Sequence, residues 1–340
     1  MLSSGTRNNA LLLLCTILHF SVDGVCAAVL AKYAVNEPDF SSIVYYFGLY
    51  NVIAFGGQWL AGLVLDKKKG LILPSLCLVP VLLAGGFLDG AGILFQAVSI
   101  ALGNCLFHVA AGIIILEGYE GFREPGIFVS SGAVGLGLGL RQFVGAIPFE
   151  TVCIICTAIT VYLLVKYPVP VQHRESPASH GGAAYLMAGA FLLLVCVTLR
   201  GFGGKNTLPV HVMLLPCVFM LGKSAGGLLC DAIGFLKTIL AIFLLSFAAL
   251  QTPGIVGAIT LTFASNMTMP LTLRLLHKYF PDYPGLTFGL AAGCLLPGAF
   301  FAGLIDIPPD AMAVVQFMSL FIAGIIWRKA SCSGPRSSLS

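Results

Sequence analysis

The strongest constraint on this chain is where its charges are missing. Between Arg7 and Lys32 the only acid or base groups are His19 and Asp23, set in the apolar run CTILHFSVDGVCAAVL at 15–30. Comparable runs follow one another to the end of the chain, each closed by Lys, Arg, Pro or Gly clusters. A helix that crosses a bilayer needs roughly 17 to 25 mostly apolar residues. Cut at those clusters, the chain gives twelve runs, at 9–31, 42–65, 71–88, 91–116, 126–147, 151–166, 183–202, 208–230, 235–250, 254–276, 284–304 and 311–327. The expected fold class is therefore an all-α integral membrane protein.

Composition agrees, with 9% charged residues against 58% hydrophobic ones, where soluble domains average about 25% charged. The net charge of +4 has no polar segment long enough to form a nucleic-acid-binding domain, so nucleic acid is excluded as a partner. Most of the eleven cysteines lie inside apolar runs, and the close pair Cys153 and Cys156 reads as packing rather than redox or metal chemistry. No metal and no cofactor is expected.

The one long polar connection, YPVPVQHRESPASHGG at 167–182, divides the chain into an N-terminal half, 1–166, and a C-terminal half, 183–327, with a tail at 328–340. Lys and Arg collect on alternate connections. Thirteen fall with the termini and the linker, while only Lys32 and Lys205 fall on the other side. By the positive-inside rule both termini and the linker are cytoplasmic, in a multi-pass protein of the plasma or inner membrane. A cleaved signal peptide ending near Val25-Cys26-Ala27 is the alternative for the first run, and it would invert this pattern.

The two halves echo each other. GQWLAGLVLD at 57–66 and GKSAGGLLCD at 222–231 share Gly57/Gly222, Gly62/Gly227, Leu63/Leu228 and Asp66/Asp231 at one constant offset. PGIF at 125–128 matches PGLT at 284–287, with Gly139 and Gly298 in the same register. Repeats at equivalent spans mark transporters built from two related halves.

On these motifs the chain resembles a compact twelve-helix member of the major facilitator superfamily. The superfamily's loop motif G-x-x-x-D-[RK]-x-G-[RK] is matched by Gly62, Asp66 and Lys67, with Lys69 where glycine is expected. The second copy keeps Gly227, Asp231 and Gly234, with Ala232 at the basic position. The resemblance implies two pseudo-symmetric six-helix halves and a cytoplasmic latch that forms and breaks as the halves rock. NCLFHVAAG at 104–112 is weakly similar to the fosmidomycin-resistance type of exporter. The fourth-span Arg of many members and the Gly-Pro signature of drug antiporters are both missing.

Runs 3, 6, 9 and 12 have no charged residue in their interiors, whereas the others carry His19, Asp23, Asn104, His108, Arg141, Gln142, Arg200, Lys223 and Asn266. Residues four or seven apart share a helix face. That spacing joins His19 to Asp23, Asn104 to His108, Thr262 to Asn266, and Asn51 to Gln58. The resemblance places spans 1, 4, 7 and 10 around a cavity. At about 1.5 Å per residue Asp23 lies near the midplane of its run, with Arg141 and Arg200 as alternative partners. Three cations against one deep carboxylate point to an anionic or zwitterionic solute.

The expected function is secondary transport of a small organic molecule by a monomer in the lipid bilayer, by alternating access. Proton coupling runs through Asp23, with His19 beside it. A multidrug exporter is the alternative within transport, and a non-transporting receptor or intramembrane enzyme the alternative outside it. No paired carboxylates, spaced nucleophile and base, or P-loop favour an enzyme.

Overall fold

The computed structural model describes residues 4–88, 90–141, 148–166, 183–202 and 213–332. Among them there is no strand. The helices are α1 (Ser4–Asn36), α2 (Phe40–Asn51), α3 (Gln58–Lys67), α4 (Ile72–Gly85), α5 (Ile93–Gly118), α6 (Arg123–Leu140) and α7 (Phe149–Lys166). They continue with α8 (Ala183–Phe202), α9 (Leu214–Ile233), α10 (Phe235–Gln251), α11 (Gly254–Tyr279), α12 (Pro284–Gly293), α13 (Leu295–Phe301) and α14 (Pro309–Cys332).

Among the described residues nine helical runs are long and apolar enough to cross a membrane. The runs Lys69–Gly85 and Phe235–Gln251 are shorter. α6 falls below the hydropathy of a typical span because it opens on Arg123 and Glu124 and carries Gly126, Gly132, Gly135, Gly137 and Gly139. That glycine content has a packing reason: a Cβ at Gly139 would strike the carbonyl of Gly24 in α1. Its counterpart Gly298 meets the carbonyl of Thr198 in α8 in the same way. Residues 142–147 of the fifth expected run, 208–212 of the eighth and the linker 167–182 lie outside the described residues.

Two of the expected runs are not single α-helices. The second is α2 and α3 joined by a π-helical turn at Val52–Gly56, and the eleventh breaks at Cys294 between α12 and α13. At the start of α2 the Asp39 carboxylate accepts from the amides of Ser41 and Ser42. Together with the Ser41 and Ser42 hydroxyls, these bonds hold Asp39 down to about 2, the behaviour of an N-cap whose charged form is preferred.

Helix contacts follow a repeating scheme. α1 packs on α5, α6 and α7, as α8 packs on α11, α13 and α14; α4 packs on α5 and α7, as α10 packs on α11 and α14. The largest contacts between α1–α7 and α8–α14 are α6 against α9 and α3 against α12, with smaller ones of α5 against α12 and α6 against α11. α5 is the most enclosed helix, with Ile100, Phe107, Ile113 and Ile115 fully buried. α4, α7, α10 and α14 expose large apolar side chains such as Val81, Ile159, Phe247 and Val314, the surface a lipid-facing helix needs.

Candidate functional site

A cavity of about 210 Å³ opens where α1, the π turn, α5, α6, α8, α9, α11, α12 and α13 converge. None of its lining comes from α4, α7, α10 or α14, the helices of runs 3, 6, 9 and 12. Its ionisable groups are His19, Asp23, His108, Arg200 and Lys223, set in an apolar wall that includes Phe55, Phe219, Met269 and Phe288. A second hollow of about 380 Å³ lies by Phe122, Lys237, Lys278 and Arg328. It holds no acid or imidazole, so the inner cavity is the candidate site.

Helical spacing makes half of the cluster and tertiary packing makes the rest. His19 and Asp23, one turn apart on α1, meet at 3.2 Å (Nε2 to Oδ2). α5 brings the other stripe against them: Asn104 Nδ2 donates to Asp23 Oδ1 at 3.1 Å, and His108 Nε2 lies 3.7 Å from the same oxygen. His108 Nε2 and His19 Nε2 are 3.0 Å apart. His19, His108 and Asn104 are 5%, 6% and 1% exposed, so these contacts act in low dielectric, where each is worth more than in water. Asn104 Oδ1 has no hydrogen-bond partner.

The cations approach from the other side. Lys223 Nζ donates to the Val129 carbonyl at 3.2 Å. Arg200 is buried, and its Nη1 donates at 3.3 and 3.4 Å to the hydroxyls of Thr268 and Thr272. Among the described residues no carboxylate forms an ion pair with Arg200. Of the two partners considered for Asp23, Arg200 is thus engaged elsewhere, and Arg141 stands exposed just past α6, outside the cavity lining.

The other expected stripes do not reach the cavity. Asn51, Gln58 and Asn266 each donate to a carbonyl of their own helix, on Phe47, Ala54 and Thr262, at 2.7, 2.6 and 2.9 Å. Asn266 lies against Gly222 at the α9–α11 contact. On α11 it is Thr268 and Thr272, one turn apart, that meet Arg200. Gly132 was not foreseen either: a Cβ there would strike Asp23 Oδ2 and His19 Nε2, so glycine keeps these atoms open to the cavity.

The absence of a metal cluster, expected from the sequence, needs qualification. The donor atoms of His19, Asp23 and His108 all lie within 4.8 Å of one another, near enough for a cation by distance alone. Charge opposes a divalent ion, because Lys223 and Arg200 face the same cavity and the three donors include only one carboxylate, Asp23. We therefore do not read the three as metal ligands.

At one end of the bundle two carboxylates cap helix starts across the α3–α12 and α6–α9 contacts. Asp66 accepts from the amides of Gly285 and Leu286, both at 2.8 Å, at the start of α12. Asp231 accepts from Phe122 at 2.9 Å and from Arg123 at 2.8 Å, at the start of α6. Gly62 and Gly227 pack against the backbone at those same crossings. Lys67 is exposed, and Gly234 turns the chain between α9 and α10 with φ +89°. Beside them Arg274 donates to the carbonyls of Gly121 and Leu116, both at 2.9 Å, a contact the sequence did not announce.

No protein-family model matches the chain, and none of the curated proteins compared with it is similar in sequence. Solved structures are similar in fold. A major facilitator superfamily transporter, FucP, in the outward conformation superposes with a TM-score of 0.65 at 13% identity, over 94% of this chain and 98% of that one. A variant of the same E. coli fucose:proton symporter gives 0.64 at 14% identity, over 94% and 98%. A bacterial homologue of the iron transporter ferroportin, in its outward-facing state, gives 0.62 at 13% identity, over 96% and 99%. The molecule is a multi-pass membrane protein. Its fold is that of major facilitator superfamily transporters.

Proposed function

We propose that the protein is a secondary transporter that moves a small organic anion or zwitterion by alternating access, coupled to protons through the Asp23 cluster. Two six-helix halves, 1–166 and 183–327, rock about the cavity, tied by a cytoplasmic linker at 167–182. The repeated helix contacts and the glycine pair Gly139 and Gly298 support the two-half reading. The similar folds do not choose the solute, since one is a fucose:proton symporter and another a homologue of an iron transporter.

One observation carries the functional reading: the inner cavity, with an acid–imidazole cluster on α1 and α5 and two cations, Arg200 and Lys223, on α8 and α9. Ionisable groups at membrane depth are costly and mark ion or substrate paths. Here the two kinds line one cavity, so an anion bound by the cations would face the proton-exchanging group. The capped contacts at Asp66 and Asp231 support a cytoplasmic end that is closed while the cavity awaits solute from outside. The apolar wall of Phe55, Phe219, Met269 and Phe288 favours, as a second reading, export of amphipathic compounds.

The test is reconstitution. Purified protein in proteoliposomes is given organic acids and zwitterions, selected by comparing metabolite uptake and release in cells with and without the gene. Accumulation driven by an imposed pH gradient supports the reading. Solute movement that ignores the gradient removes proton coupling, and the lack of any movement or exchange removes transport.

A further inference from the structure

His19 and His108 face each other Nε2 to Nε2 at 3.0 Å, and their other nitrogens decide what must lie between them. His19 Nδ1 is 2.8 Å from the carbonyl oxygen of Phe128, and His108 Nδ1 is 2.9 Å from that of Asn104. A carbonyl only accepts, so both Nδ1 atoms carry hydrogen. A neutral imidazole has a single N–H. Two neutral rings would therefore turn bare lone pairs on each other across this short gap. At 3.0 Å the gap has no room for a water, and in a buried site that arrangement is unfavourable.

A third proton removes the conflict. One Nε2–H then donates to the other Nε2, and the two rings share one positive charge. Asp23 provides the counter-charge, with Oδ2 at 3.2 Å from His19 and Oδ1 at 3.7 Å from His108. Placing the proton on Asp23 instead does not help. A carboxyl O–H would satisfy one Nε2 and leave the other facing it with no hydrogen between them. Asn104, which donates to Asp23 Oδ1 at 3.1 Å, also favours the ionised carboxylate.

We infer that the exchangeable proton of the transport site is held between His19 and His108, and that Asp23 is its fixed counter-ion rather than its carrier. The inference rests on the proton-coupled reading above and deepens it. The proton comes from hydronium and returns to water: an O–H bond of hydronium breaks as the imidazole N–H bond forms, and release reverses the exchange. Other groups facing the pair are Lys223 from α9, Arg200 from α8, and Tyr50 and Cys26 beside Asp23. α6 and α12 present Phe128, Gly132 and Phe288, none of which titrates. An anion on Arg200 and Lys223 offsets their repulsion of the imidazolium, so proton and anion favour each other's binding and travel in the same direction.

Losing the proton restores the lone-pair conflict and drives the rings apart. His19 is tied to the main chain of α6 at Phe128, so that movement reaches the helix which contacts α9.

The experiment is nitrogen NMR of the full-length protein labelled with ¹⁵N-histidine in liposomes, from about pH 5 to about pH 9, the range in which histidine charge changes are read. We expect a nitrogen-to-nitrogen correlation through the shared hydrogen joining two histidines, and its disappearance on raising the pH with the loss of one proton per protein. His19→Gln and His108→Gln should each abolish it; the wild-type spectrum alone tests the inference if either variant fails to fold. Two neutral rings with bare Nε2 atoms at every pH would overturn it. So would a transition metal that co-purifies in equal proportion and whose chelation moves these signals. Neither result depends on transport. Conversely, a shared proton in a protein that accumulates nothing under a pH gradient would remove the transport reading and leave the proton site standing.

Discussion

Gly62 in α3 and Gly285 in α12 meet backbone to backbone: a Cβ on Gly62 would strike the carbonyl of Gly285, and one on Gly285 would come within 3.0 Å of Gly62 Cα. At the α6–α9 crossing a Cβ on Gly227 would strike the carbonyl of Phe122, and one on Gly126 would come within 2.8 Å of the Lys223 carbonyl and 3.4 Å of Gly227 Cα. Each crossing is closed by a carboxylate on a helix start, Asp66 for α12 and Asp231 for α6. Small residues let helices approach, and the amide dipoles at a helix N-terminus favour a negative charge. The two devices reinforce each other, because the carboxylate reaches the amides only when the glycines are in contact.

Asp66→Asn tests the electrostatic part. The amide still accepts one hydrogen bond but loses the charge, a difference of about 1 to 2 kcal/mol for a partly buried site. Exchange in proteoliposomes should slow by roughly 5- to 30-fold, with substrate affinity changed no more than a few fold. A selective loss of binding would put Asp66 in the substrate site and reject the latch.

Gly62→Val tests the steric part at the same crossing. A branched side chain at this contact keeps α3 and α12 apart, so the end closed by Asp66 should stay open. A single thiol placed nearby should become more reactive to a water-soluble reagent than in Asp66→Asn. Equal labelling in Gly62→Val and the parent protein would mean that the contact does not gate access.

The proposed cytoplasmic side of this contact rests on the Lys and Arg bias. A cysteine-free variant with one thiol between 167 and 182 should react with an impermeant reagent only from the cytoplasmic face. Labelling from outside intact cells would invert the topology and move the latch to the other surface.

Arg200 makes a different prediction, since it is a buried cation held by two threonine hydroxyls and, among the described residues, by no carboxylate. A buried charge without a counter-charge destabilises the protein that carries it. Arg200→Gln should therefore raise the melting temperature of the empty protein. Substrate affinity should fall roughly 10-fold or more, matching the loss of a charged hydrogen bond worth about 1.5 to 3 kcal/mol. A variant that melts lower and binds normally would make Arg200 structural.

The all-helical, membrane-spanning class and the carboxylate–glycine repeat were legible in the sequence because both are local patterns; of the twelve expected runs, nine are long and apolar enough to cross a membrane among the described residues. Apolar length defines a span, and a constant offset defines a repeat, without knowledge of any partner. Half of the candidate site was legible for the same reason: His19 with Asp23 and Asn104 with His108 are each one turn apart. What the sequence could not carry was which stripes meet. Asn51 with Gln58, seven apart, and Thr262 with Asn266, four apart, share a helix face just as the cavity pairs do, yet Asn51, Gln58 and Asn266 bond back onto carbonyls four residues earlier in their own runs. The pairing of Arg200 with Thr268 and Thr272, and the opening left by Gly132, depend on helix rotation, which periodicity does not fix. Nor does spacing reveal that two imidazoles from α1 and α5 converge on one carboxylate.

Asp23→Asn is the most direct test of that convergence. Asparagine keeps the shape and much of the hydrogen bonding but removes the charge opposite His19 and His108. Without it the imidazole pair loses its hold on the proton, and a pH gradient should no longer drive accumulation. Substrate-for-substrate exchange should survive, because it needs rocking and no net proton movement. If Asp23 instead serves mainly to hold α1 against α5, its loss resembles the breaking of a buried ion pair, at about 3 to 5 kcal/mol. Exchange and melting temperature would then fall together. An Asp23→Asn protein with unchanged gradient-driven transport and unchanged melting temperature would show that the cluster neither couples nor supports. The cavity's function would then rest on Arg200 and Lys223 alone.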